Sequence, residues 1–261
     1  MPGTYAHYRF GQAALAMLSD KQQRTARRFR QLFDMGLHGP DIFYYTDPLG
    51  LASNGKMGKR FHNMTGVDFF AHVVRALKLK PSEGAMAYFY GLVAHYALDS
   101  ISHPFVSKNV TESRSAIQIM TEFDRYLLVT DGKKPPHLYD PSRHISLTEG
   151  ECQTVAAMYP GISPAQVQSC VKNMARCARG IALEQGPGRD VKLALLNLTA
   201  KETAQRVIGL RPNRNCAGLN ASQLRLYELA QKRYAALMEQ LQIHMRKNTP
   251  LGTDFAAVFG E

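Results

Sequence analysis

The 261-residue chain has only four cysteines, Cys152, Cys170, Cys177 and Cys216, all in its second half and none in CxxC spacing. Neither a disulfide framework nor a thiolate zinc site is indicated, and the thiols read as reduced core residues. No apolar stretch comes near the roughly 18 residues of a membrane span, and the first twenty residues lack the basic, apolar and small-residue succession of a secretory signal. The expectation is a soluble, cytoplasmic chain. Several familiar catalytic words are missing too: there is no GxSxG elbow, no GxxxxGK phosphate loop, no GxGxxG after a strand and no HExxH. Internal repeats and low-complexity segments are absent, and alternating strand patterns are scarce.

What is present is ordinary globular material, 45% apolar and 20% charged, which excludes a disordered or collagen-like chain. Thirty-two Lys and Arg against 21 Asp and Glu give a net charge of +11, which favours anionic partners. The charge is spread evenly over the two halves, so no arm or tail marks a nucleic-acid binder. One run stands out: Arg24, Arg27, Arg28 and Gln31 share a helix face that reads as solvated, with membrane-surface contact as the alternative.

Helical periodicity dominates and predicts an all-α fold. Helices are expected over 11–18, 20–36, 67–79, 82–102, 112–129, 147–158, 163–184, 190–208 and 221–247. Ser82 caps the fourth, and Pro104 is expected to end it. Turn-rich joints lie at 38–58, 131–144, 184–190 and 211–220, the second with Pro135, Pro136 and Pro141. The organisation expected is a metal-binding helical lobe over 1–130, with 131–261 as further helices packed on it in one continuous domain. The polar, glycine-containing residues from Thr249 onward are expected to be loosely held.

The sharpest local feature is GLVAHYALDSISHPF, where His95, Asp99 and His103 stand at i, i+4 and i+8 on one face of a strongly apolar helix. A buried Asp between two histidines must be paired or metal-bound, because burying it uncompensated costs several kcal/mol. Zinc accepts imidazole nitrogen and carboxylate oxygen, and an Asp can bridge two ions; the competing reading is a buried His-Asp-His hydrogen-bond ladder. Further donors are His38 and Asp41 in HGPDIFYY, His62 in FHNMTG and His7 in YAHYRFG. Each alone fits a surface or capping residue, yet together they supply enough donors for two ions. His72, His137, His144 and His244 have no such partners and read as structural or exposed.

With HYxxD on an apolar helix preceded by His, Asp and His in that order, the first 130 residues resemble the zinc-dependent phospholipase C family, in a branch that is not exported. The words TYAHYRFG, HGPDIFY, HYALDSISHPF and TEFDRYLL carry the resemblance. It implies a dinuclear zinc pair bridged by Asp99, one ion held by Asp41, His62 and His95 and its neighbour by His7, with the amino terminus as an added ligand in secreted members. It further implies phosphodiester hydrolysis by metal-activated water, with Asp41 accepting the proton. A third zinc in such enzymes uses a His beyond HYxxD, here His103, and an HxxxE pair. Counting back from Glu122 and Asp124 places that pair at Ala116 and Met120, which cannot ligate zinc, so two ions are expected and the third site is lost. The partner implied is an anionic phosphodiester. Rivals are a single-strand nuclease on the same scaffold, disfavoured by the even charge and the lack of a stacking platform, and a weakly active or inactive metal-binding protein.

Overall fold

The structure is a computed structural model that describes residues 3–46, 55–133 and 135–260. Residues 47–54 of the joint expected at 38–58, and the amino terminus itself, lie outside the described residues. Among the described residues the fold is all-α, with twelve α-helices, short 3₁₀ turns and no strand beyond two isolated bridges.

The organising element is α6, Glu83–Lys108. Its start is set by Ser82, whose hydroxyl accepts the Ala85 N–H at 3.0 Å. Every residue from Ala87 to Ser100 is buried, because the helix is apolar around its circumference and is covered on all sides. Before it come α1 (Thr4–Met17), α2 (Asp20–Arg28), α3 (Arg30–Gly36), α4 (Lys56–His62) and α5 (Gly66–Leu79). After it come α7 (Ala116–Thr130), α8 (Glu149–Ala156), α9 (Pro164–Gly180), α10 (Pro187–Thr199), α11 (Lys201–Gln205) and α12 (Asn220–Lys247).

Helix α3 lies against α6 so closely that a Cβ on Gly36 would stand 2.2 Å from the Tyr88 carbonyl oxygen, and one on Gly91 2.2 Å from that of Phe33. Helix α12 also packs along α6, with α1 and α2 on it as well. One cluster of buried side chains runs from Tyr5 to Phe259 and includes residues of both halves of the chain.

Several sequence expectations give way to tertiary contacts. Pro104 does not end α6. Its missing N–H costs the helix one hydrogen bond, and the next turn buries Val106 in a small cluster with Ile119, Met120 and Cys216. The expected helix over 20–36 breaks at Phe29, which has φ −109° and ψ 50°, and this joint lets α2 and α3 each follow α6. The helix expected over 190–208 is interrupted at Ala200, at φ −151° and ψ 63°. The end of the chain is not loose: Phe255 and Phe259 are fully buried beside Phe70 and Tyr96, and the Ala257 carbonyl accepts N–H of Gly66 at 2.9 Å and the Tyr96 hydroxyl at 2.8 Å. Two aromatics spaced four apart outweigh the polar residues around them.

All four cysteines are free thiols, and three of them are buried. Arg24, Arg27, Arg28 and Gln31 are exposed, with Arg28 paired to Glu83 at 3.0 Å.

Candidate metal centre

Three segments bring four side chains to one place in the interior. His62 is the last residue of α4, His95 and Asp99 lie one turn apart on α6, and Asp41 stands in the 3₁₀ turn Gly39–Tyr45. One donor atom from each of these four residues lies within 4.8 Å of the other three, and all four are buried. The turn reaches the helix because Gly39, at φ +44°, carries no side chain; a Cβ there would stand 2.6 Å from the His95 ring.

His7 and His103 stand at the margin of this group rather than inside it. His7 Nε2 is 3.1 Å from Asp99 Oδ1, and His103 Nε2 is 3.6 Å from Asp99 Oδ2. Asp99 thus divides its oxygens, with Oδ1 toward His7 and Oδ2 toward His95 at 3.2 Å and His62 at 4.0 Å. His38 is buried but points elsewhere, its ring 5.5 Å from that of His144, which stacks on Tyr8.

With neutral imidazoles the proton inventory does not close. His62 Nδ1 lies 2.8 Å from the Gly58 carbonyl and its Nε2 lies 2.9 Å from Asp41 Oδ1, so a neutral ring has one N–H for two acceptors. His95 meets the same shortage between the Leu37 carbonyl at 3.1 Å and Asp99 at 3.2 Å. If each Nδ1 donates to its carbonyl, the Nε2 lone pairs face carboxylate lone pairs. The Nε2 atoms of His7 and His95 and both oxygens of Asp99 are indeed buried without a well-formed hydrogen bond. A divalent cation among Asp41, His62, His95 and Asp99 resolves the contacts of those four residues: it accepts lone pairs from imidazole and carboxylate and offsets two buried negative charges. The Nδ1 bonds to backbone carbonyls are the outer support that zinc-binding histidines commonly have. The residues therefore fit zinc.

The electrostatics follow from the same crowding. Burial alone would raise the Asp99 pKa, but His95 and His7 hold it well below the usual carboxylate range. Asp41 is pushed up by burial and more strongly down by His95 and His62. Burial makes His7 less basic than usual despite Asp99, whereas for His95 the two aspartates outweigh burial and raise its pKa.

Asp41 also lines a cavity that opens to solvent. Its walls include Met120, Met174, Ile208 and Tyr139, with Arg206 as a cation. Tyr45 and Asp41 beside Arg206 raise its pKa, against the effect of burial. Sequence reasoning missed Arg206, because an arginine near the end of an expected helix carries no signal until the chain folds. It also missed Asp124, whose two oxygens accept the N–H groups of Tyr5 and Ala6 at 3.0 and 2.8 Å and so fix the start of α1, which carries His7. Glu122, the nearest carboxylate to the expected HxxxE position, is taken up by Arg125 at 2.7 and 2.9 Å and by the Asn213 N–H at 2.9 Å.

No curated protein and no solved structure matches the chain. A family model described as zinc dependent phospholipase C matches residues 6–159, more than half of the sequence and the segment that holds His7, Asp41, His62, His95, Asp99 and His103. The chain belongs to the zinc-dependent phospholipase C family, whose name and chemistry suggest a hydrolase.

Proposed function

We propose that the protein is a phosphodiester hydrolase of phospholipase C type that uses zinc held by Asp41, His62, His95 and Asp99. The observation that carries this reading is the buried set of lone pairs around Asp99. Because Asp99 turns one oxygen to His7 and the other to His62 and His95, His7 and Asp99 would hold a second ion. His103 is then a weak ligand or a packing residue. Ala116 and Met120 offer no donor for a third site.

Zinc in such a centre polarises phosphoryl oxygens and lowers the pKa of a bound water. The chain's own residues supply the rest. Asp41 faces both the metal cluster and the cavity, so its carboxylate is placed to accept the proton of the attacking water. Arg206 offers a guanidinium to the anionic phosphodiester in the same cavity. The methionine and isoleucine walls favour a substrate with an apolar portion, which supports a phospholipid or a small lipid-like diester over a nucleic acid.

Turnover of a chromogenic phosphocholine diester and of single-stranded DNA by zinc-supplemented protein tests the proposal. The diester should be cleaved and the DNA spared. His95→Ala should reduce kcat at least about a hundredfold, and Arg206→Gln should raise KM about tenfold with a smaller change in kcat. Absence of zinc-dependent turnover on either substrate would reject the enzymatic reading.

A further inference from the structure

Helix α10 is apolar on two sides and packed on one. Arg189, Leu193 and Leu196 form the inner face; Arg189 is buried, donating to the Leu183 and Ile208 carbonyls at 2.8 Å, and the two leucines are half-buried. Val191, Leu195 and Leu198 stand at i, i+4 and i+7 on the opposite face and are 70%, 58% and 86% exposed. A helix that is apolar on both faces calls for cover on both, and a contiguous stripe of this kind marks a contact surface.

Charge indicates the occupant. Residues 185–214 carry six Lys and Arg; Arg189 is buried and Arg206 lines the cavity, while Lys192, Lys201, Arg211 and Arg214 stand exposed against Asp190 and Glu202, an exposed balance of +2. A second copy meeting the same stripe would oppose two such patches, whereas an anionic surface complements one. The place of the helix points the same way. Ile181 before it and Arg206 and Ile208 after it line the cavity that reaches Asp41, so α10 spans the chain between two of that cavity's walls. Its 13 residues extend about 20 Å, too short to cross a bilayer. An apolar-striped helix of that length, followed by a segment with exposed cations, lies in the plane of a membrane interface.

We infer that α10 docks on an anionic phospholipid surface, with Val191, Leu195 and Leu198 entering the headgroup and acyl boundary beside the cavity. The inference rests on the lipid-phosphodiester reading above. Its test reads binding without turnover. The chain has no tryptophan, so Leu198→Trp introduces a single reporter. With zinc-loaded protein its emission should shift to the blue on vesicles of phosphatidylcholine with phosphatidylglycerol, and much less on phosphatidylcholine alone. Leu195→Ser with Leu198→Ser should weaken co-sedimentation with the anionic vesicles at least about tenfold, while hydrolysis of a soluble diester stays at the wild-type rate. Equal vesicle binding by the serine variant, no emission shift, or a wild-type dimer that the serine variant dissociates would overturn the inference. Vesicle binding through α10 by a protein that cleaves no diester would uphold it and count against the hydrolase reading alone.

Discussion

Asp124 stands two residues beyond Glu122 on α7, and both carboxylates are buried, but they serve different neighbours. Glu122 is satisfied by Arg125, whereas among the described residues Asp124 accepts from the two N–H groups at the start of α1. Burial, partly opposed by those N–H groups, pushes its pKa up to about 7. A carboxyl whose folded pKa lies above its unfolded value binds its proton more tightly in the folded state. Its contribution to stability is therefore greatest in acid and declines as the pH rises from about 4 to about 7, with no further change above. Urea unfolding of wild type and Asp124→Asn at pH 4.5, 6 and 7.5 reads this directly, because asparagine does not titrate. The wild type's stability relative to the variant should fall across the series. A pH-independent difference would mean that the two N–H groups keep Asp124 ionised throughout.

At the scale of elements, the contact between α3 and α6 carries more than packing. Gly36 and Gly91 let the two backbones touch, and the chain leaving α3 delivers the Leu37 carbonyl that holds His95 and then the turn bearing Asp41. Gly91→Ala should destabilise the fold by about 3 kcal/mol, the upper range for overpacking, since backbone rather than a flexible side chain must give way. Gly150→Ala on α8, where nothing lies within 4 Å, should instead stabilise by about 0.5–1 kcal/mol through helix propensity. Chemical denaturation of both variants checks the pair, and equal effects would show that the close contact relaxes freely. None of this contact is visible in sequence, where Gly36 simply closes one expected helix and Gly91 lies inside another. The breaks at Phe29 and Ala200 and the passage of α6 through Pro104 were hidden for the same reason, as each is decided by what lies across the contact. The helices themselves were legible because a 3.6-residue apolar period records which face is buried.

Across the whole molecule, the residues around Asp99 were legible from HYxxD and the His and Asp words before it, since their chemistry is unusual for an apolar helix. Arg206, Phe259 and Asp124 were not, because ordinary residue types gain their roles only through contacts between distant segments: Arg206 in the cavity beside Asp41, Phe259 against the rings of His62 and His95, and Asp124 under the start of α1. The centre also links metal to global stability. Without a cation, two carboxylates and at least two imidazole lone pairs stay buried with too few protons between them, a cost borne only by the folded state. A ligand bound only by the folded form adds about 2.7 kcal/mol when its free concentration is 100 times Kd, so removing zinc with a chelator should lower the unfolding midpoint and restoring it should reverse the loss. Asp99→Asn separates this from a merely structural aspartate. It removes one buried charge and a carboxylate oxygen, so in chelator the variant should equal or exceed the wild type in stability, while added zinc should raise its midpoint far less. A wild-type midpoint that ignores both chelator and zinc, with Asp99→Asn strongly destabilising in either condition, would leave the hydrogen-bond ladder as the account of this helix.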